Sequence, residues 1–313
     1  MAADKRRRRG TAGRRKVWIA ALAAFLVVDV ALVGLALTGP TSDAGRPSAL
    51  PAPSASPSPT ETTAPAPDLG PLSSPAAYLA AVDSVTAYRV SAGDCSVDEA
   101  LTLERSDDSG DSWVANPVTT TLRSVTQFAA TSDTYAYMVG LNDACDPDFT
   151  ATYTSGTGFG SYPEELTGVW YRDTTDGTLN SPTGILEPPC SDVVDVIAVD
   201  DLNAAVMCSD RTLSRTTDGG STWGAPLTLG GAVATSTGVG NYVVAQTGRE
   251  GCAGVRVSTL GPSDQAPAIL GCYETDSDSL EDGRVLVSGT RDSIWLQVQD
   301  VVVVSTDGGI TWA

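Results

Sequence analysis

Acid–base chemistry in this chain falls to carboxylates, because 38 Asp and Glu are present and His is absent. Without imidazole, Ser-His-Asp and Cys-His nucleophilic sites and His-ligated metals are excluded. Two acids at the right separation suffice to hydrolyse a glycosidic bond, so paired carboxylates are the one catalytic route left open. Two other patterns invite a ligand and are set aside. Gly156-Thr157-Gly158-Phe159-Gly160 lacks the full GxGxxG spacing and the strand-to-helix setting of a nucleotide loop, and reads as a turn. Asp276-Ser277-Asp278-Ser279-Leu280-Glu281-Asp282-Gly283 resembles part of a calcium loop, yet it has Leu280 at the third ligand position and no closing Glu. The expected cofactor and metal content is none.

The elements that must position any such acids announce themselves through three copies of one eight-residue turn. They are Ser106-Asp107-Asp108-Ser109-Gly110-Asp111-Ser112-Trp113, Thr216-Thr217-Asp218-Gly219-Gly220-Ser221-Thr222-Trp223 and Ser305-Thr306-Asp307-Gly308-Gly309-Ile310-Thr311-Trp312. In each, a hydroxyl residue opens the turn and an Asp two places on can accept backbone N–H bonds across it. A Gly two further on tolerates positive φ, and a Trp follows three later. A turn recurring at long intervals is the signature of a repeat architecture.

The pattern, carried by Ser106, Asp108, Gly110 and Trp113, by Thr216, Asp218, Gly220 and Trp223, and by Ser305, Asp307, Gly309 and Trp312, resembles the Asp-box of BNR-type β-propellers. The resemblance covers the chain from about residue 77 to its end and implies an all-β propeller in which the box is structural. That family includes sialidases, which also carry an Arg-Ile-Pro motif, an arginine triad and a Tyr/Glu nucleophilic pair. No Arg-Ile-Pro occurs here, and Arg89, Arg105, Arg123, Arg249, Arg256 and Arg284 match no family motif, so none carries over as catalytic.

The first sixteen residues hold eight Lys and Arg against the single Asp4, a charge of +7. An apolar run from Val17 to Thr38 follows, and at ~1.5 Å per residue it can cross a hydrocarbon core of ~30 Å. The positive-inside rule keeps the basic head in the cytoplasm and exports everything after Gly39. A cleaved signal peptide is the competing reading, but the run is too long and Leu37-Thr38-Gly39-Pro40 is a poor cleavage site. Asp29, near the middle of the run, reads as a hydrated or protonated acid or as a contact with a partner helix. Residues 39–76 are rich in Pro, Ser, Ala and Thr and read as an extended linker.

Residues 77–313 show short β-branched strands without helical periodicity. Trp113 to Trp223 spans 110 residues and Trp223 to Trp312 spans 89, each about twice a blade of ~40 to 50 residues. A degenerate module is therefore expected inside each interval. The first is read at Arg172-Asp173-Thr174-Thr175-Asp176-Gly177 and the second at Val255–Gly261. This gives five blades, with six or seven allowed because Asn142–Thr167 could hide another. The chain stops with the last box complete, so closure is expected through a strand borrowed from near Ala77.

All six cysteines, Cys95, Cys145, Cys190, Cys208, Cys252 and Cys272, follow the apolar run, and an even number in an oxidising compartment predicts disulfides. Chain proximity and blade geometry favour Cys95–Cys145, Cys190–Cys208 and Cys252–Cys272. Cys95, Cys145, Cys208 and Cys252 fall between second and third strands of modules, and Cys190 and Cys272 between modules, all on the face opposite the turns. Without a CxxC pair, zinc is not expected.

Setting the +7 head aside turns the whole-chain charge of −19 into −26 for residues 17–313, which contain eleven Arg, no Lys and no His. Nucleic acid is disfavoured as a partner, since phosphate binding needs clustered cations. The composition suits a GC-rich bacterial source. The expected function is a non-catalytic, membrane-anchored extracellular module that binds or scaffolds a protein or glycan on its disulfide-braced face. The alternative is a glycan-processing hydrolase using paired carboxylates.

Overall fold

A computed structural model describes residues 70–275 and 284–313, all within one unit spanning Ala64–Ala313. The basic head, the apolar run, most of the linker and the calcium-like segment at 276–283 lie outside the described residues. No helix among the described residues is long and apolar enough to cross a membrane.

Short β-branched runs punctuated by Gly, Asp, Asn and Ser turns form antiparallel meanders. Blade 1 contains β1 (Ala77–Ala81), β2 (Ala87–Ser91), β3 (Thr102–Ser106) and β4 (Val114–Pro117). Blade 2 contains β5 (Gln127–Ala130), β6 (Ala136–Leu141), β7 (Pro147–Thr152) and β8 (Gly160–Ser161). A 3-10 helix at Pro163–Gly168 leads into the three-stranded blade 3, made of β9 (Tyr171–Arg172), β10 (Leu179–Ser181) and β11 (Gly184–Leu186). Blade 4 contains β12 (Val193–Ala198), β13 (Ala204–Cys208), β14 (Thr212–Thr216) and β15 (Leu227–Thr228). Blade 5 contains β16 (Ala232–Thr237), β17 (Tyr242–Gln246), β18 (Gly254–Leu260) and β19 (Ala268–Glu274). Blade 6 contains β20 (Val285–Gly289), β21 (Ile294–Val298) and β22 (Val301–Ser305).

The protein is thus an all-β propeller of six blades, one more than the five counted from the turns and within the range allowed. The extra blade is blade 2, whose outer half lies in the Asn142–Thr167 stretch. Each blade is too thin to bury its own faces, so the core is distributed among the interfaces between neighbouring blades. Val233, Val257, Val287 and Leu296 pack blade 5 on blade 6, and Leu213, Met207, Tyr242 and Leu260 pack blade 4 on blade 5. Tyr88, Leu103, Leu122 and Met138 join blades 1 and 2.

Among the described residues the ring closes without exchange of a strand, which corrects the expectation of one borrowed from near Ala77. Ala77–Ala81 pairs along its whole length with β2, so its backbone groups on that edge are already committed. It meets blade 6 through side chains instead. Leu79 and Ala87 pack with Leu286, Trp295 and Val304. The Ala81 N–H donates to Ser288 Oγ at 2.9 Å, and Trp295 Nε1 donates to the Asp83 carbonyl at 2.6 Å. Ala313 exchanges backbone bonds with Val304 on the outer edge of β22.

Residues 70–76, assigned by composition to the linker, are packed on the propeller. Leu72 is 7% exposed among blade 4 and blade 5 residues, its N–H donates to the Ser209 carbonyl, and the Ala92 N–H donates to the Ala76 carbonyl. This strap crosses from blade 4 to blade 1 on the face that carries the disulfides.

Candidate functional site

The three sequence-predicted turns share one hydrogen-bond pattern. The opening hydroxyl donates to the Asp Oδ1 at 2.8 Å in each, Ser106 to Asp108, Thr216 to Asp218 and Ser305 to Asp307. The same hydroxyl accepts from the N–H of Gly110, Gly220 or Gly309 at 2.8 to 2.9 Å. The seventh residue closes the turn, its N–H bonding Oδ1 and its hydroxyl bonding Oδ2 of the Asp. These bonds favour the ionised acids: the hydroxyls of Ser112 and Thr222 foremost hold Asp108 and Asp218 below the usual carboxylate range, and Thr311 brings Asp307 to about 2.

Each turn also clamps the preceding blade, which explains both the glycine and the tryptophan. Gly110, Gly220 and Gly309 have φ of 94°, 87° and 92°. A Cβ on Gly220 would lie 2.1 Å from Leu186 of blade 3, and one on Gly110 would lie 2.5 Å from Val302 of blade 6. Trp113 meets Trp295, Trp223 meets Trp170 and Trp312 meets Tyr273 in edge-on pairs with centroids 6.1 to 6.4 Å apart. The turns are therefore spread around one rim as clamps between blades, and they converge on no common site.

A fourth copy, missed in the sequence, sits at Thr152–Phe159 of blade 2. The Gly156 N–H donates to Thr152 Oγ1 at 3.0 Å, Gly156 has φ 84°, and Phe159 packs among blade 1 residues. Thr154 stands where the others carry Asp, which hid it. Its one surviving signal is a hydroxyl residue four places before a glycine. Conversely, Arg172–Gly177 is the turn between β9 and β10, on the opposite rim, with Asp173 and Asp176 each capping a residue two places on. Its box-like opening reflects the general turn chemistry of Asp and Thr. Between blades 4 and 5 an arginine replaces the clamp, Arg215 donating to the carbonyls of Gly261 and Asp264 at 2.6 Å each.

Disulfides join Cys95–Cys145, Cys190–Cys208 and Cys252–Cys272, the pairings favoured by the sequence, and lie on the face opposite the turns. Cys95–Cys145 ties blade 1 to blade 2 and Cys190–Cys208 ties blade 3 to blade 4. Cys272 lies within β19 opposite Arg256, not between modules as its position in the chain suggested.

The central channel is the second finding not read from the sequence. A cavity of ≈ 100 Å³ lies between the inner strands β1, β5, β12, β16 and β20, and the strap closes part of it with Leu72 and Pro75. Its walls are mostly aliphatic and aromatic, and Asp195 is the one charged side chain among its described lining residues. Irregular register in β12, between Val193 and Asp195, and in β16, between Ala232 and Ala234, re-aims the residues that follow. The effect brings Asp195 Oδ2 within 3.1 Å of Thr235 Oγ1, while its Oδ1 accepts the Val196 N–H at 3.0 Å. The carboxyl sits half-buried in the channel wall, and its desolvation there raises its pKa to about 7. Desolvation, then the nearby Asp195 charge, likewise holds the Tyr78 hydroxyl protonated well beyond its usual range.

The cavity continues into a cleft of ≈ 340 Å³ on the disulfide face, bounded by Pro75, Tyr78, Asp94, Cys95, Arg172 and Asp195 among others. Arg172 is fixed there by a bond from its guanidinium to the Val193 carbonyl. Asp94 accepts the N–H and hydroxyl of Ser96, and these bonds lower its pKa. The two acids of the cleft are thus displaced in opposite directions. Outside the channel, Arg89, Arg105 and Arg123 are committed to Glu104, Asp107 and Asp98. Among the described residues no group of three or more Asp, Glu or Cys side chains is gathered for a metal ion.

No protein-family model matches the chain, and no curated protein matches it in sequence. Several solved structures resemble it at low identity. YCF48 from Cyanidioschyzon merolae is 13% identical over 78% of this chain and 72% of its own, with a TM-score of 0.32. AofleA from Arthrobotrys oligospora is 11% identical over 78% and 86%, with a TM-score of 0.46. The GH74 xyloglucanase from Xanthomonas campestris is 14% identical over 75% of this chain and 37% of its own, with a TM-score of 0.30. Likeness of this extent carries nothing about function.

Proposed function

We propose that the chain is an Asp-box propeller of the BNR type, carried on a single N-terminal membrane span with the propeller outside the cell. On this reading it is a non-catalytic module that binds or scaffolds a protein or glycan at its disulfide-braced face. The observation that carries the reading is the convergence of Asp94, Tyr78, Arg172 and Asp195 on a cleft whose rim is held by Cys95–Cys145 and by the strap. Rigidly mounted polar groups around a partly apolar concavity are what recognition requires. The test is a glycan array and an envelope pull-down with the full chain and its Arg172→Ala variant. Retention of a defined ligand by the parent and its loss in a folded variant support the reading. Equal retention by both refutes the assignment of this face.

A glycan-processing hydrolase remains the second reading, and one observation favours it. Asp195 and Asp94 share the cleft with carboxyl pKa values displaced in opposite directions, as a general acid and an ionised partner require. Turnover of aryl glycosides that disappears in both Asp195→Asn and Asp94→Asn would establish it and end the non-catalytic reading.

A further inference from the structure

Apart from whatever the outer face binds, the channel itself has the makings of a small-molecule site. Asp195 accepts one bond on each oxygen, from Thr235 and from the Val196 backbone, which leaves lone pairs on both. Among the described residues it takes part in no ion pair and no Lys or Arg lines the cavity, while the cation of the adjoining cleft, Arg172, is bonded to the Val193 carbonyl. A carboxylate so placed is relieved either by taking up a proton or by a cation brought from outside. The rest of the wall is suited to hydrocarbon. Leu72, Leu79, Phe128, Val233 and Val287 supply aliphatic and aromatic surface, and Tyr78 and Tyr137 add rings that can face a cation. A cavity of roughly 150 Å³ holds one benzene, so ≈ 100 Å³ suits a chain of a few carbons. Entry is available from the disulfide face, because the cleft and the cavity share Pro75, Tyr78, Val194, Asp195 and Val196.

We infer that the central channel binds a small primary alkylammonium ion, its charged head on Asp195 and Thr235 and its hydrocarbon tail among Leu79, Phe128 and Val287. The ammonium head offers three donors, enough to use both Asp195 oxygens and the Thr235 hydroxyl at once. A neutral alcohol of the same length fills the same volume but lacks the charge-assisted bond.

The test uses the full chain in a non-ionic detergent, with empty micelles as blanks, titrated at pH 8 with n-butylammonium chloride and separately with n-butanol. Binding is read by ligand-observed NMR. The ammonium is expected to bind about tenfold or more tightly than the alcohol, the difference that one charge-assisted bond supplies. Asp195→Asn is expected to abolish that advantage while leaving butanol binding within about twofold. Ala129→Leu, which narrows the cavity without touching Asp195, is expected to weaken both probes and carries the test if Asp195→Asn does not fold. Equal affinity of the two probes, ammonium binding unchanged in Asp195→Asn or Ala129→Leu, or no saturable binding of either probe overturns the inference.

Discussion

Replacing Asp195 by Asn should make the protein more stable, and more so as the pH rises. Desolvation raises this carboxyl from 3.8 to about 7, so the folded state holds a proton that the unfolded chain releases. Its favourable contribution is complete below the unfolded value near 4 and is lost as the pH climbs through the folded value near 7. At 1.36 kcal/mol per unit, a displacement of about three units corresponds to a ceiling of about 4 kcal/mol. The side chain looks into a cavity that continues to the surface, so about 2 to 4 kcal/mol is the working range. Asn stands in for the neutral acid and carries no such penalty. Urea unfolding followed by tryptophan fluorescence, on parent and Asp195→Asn from pH 4.5 to 8.5, checks this. The gap should be about 1 kcal/mol or less at pH 4.5, widen through pH 6 and level off above pH 7. The turn acids Asp108, Asp218 and Asp307 titrate below the ordinary range, outside this window, and bias both proteins alike. A stability difference that does not vary with pH would refute the reasoning.

Other perturbations report on the clamps. Gly220→Ala, which combines φ of 87° with a Cβ 2.1 Å from Leu186, should cost about 2 to 3 kcal/mol in urea unfolding. Gly240→Ala, with φ of 72° and open space around it, should cost only about 1 kcal/mol. Arg215→Met removes both carbonyl bonds between blades 4 and 5 and should lower stability by about 1 to 3 kcal/mol by the same assay. Converting Cys252 and Cys272 to Ser opens a loop of 20 residues and should cost about 3 kcal/mol, read as the gap between parent and variant under non-reducing conditions.

The sequence was most informative where local chemistry and architecture coincide. Thr216, Asp218, Gly220 and Thr222 make the bonds their types and spacing suggest. Cysteine pairing was legible because Cys190–Cys208 and Cys252–Cys272 are separated by only 18 and 20 residues. Blade 2 was legible only as room for a further unit within 142–167, since Thr154 and Phe159 replace the Asp and Trp that make the turn conspicuous. Ring closure was obscured for a different reason. It depends on Trp295 reaching Asp83 across 212 positions, a contact without a local signature. Asp195 did leave a trace, a lone acid in Val193-Val194-Asp195-Val196-Ile197-Ala198-Val199. Nothing in that run, however, reveals the irregular register that turns it towards the channel.

Closure of blade 6 directly onto blade 1 is the claim on which the ring, the channel and the placement of Asp195 all depend. The most direct measurement is a nuclear Overhauser experiment on the indole N–H of Trp295, assigned by its disappearance in Trp295→Phe. With Nε1 2.6 Å from the Asp83 carbonyl, the account requires cross-peaks from this proton to Asp83 and Ser84 and slow exchange with solvent. An indole proton that exchanges freely and shows no cross-peak to blade 1 would contradict it.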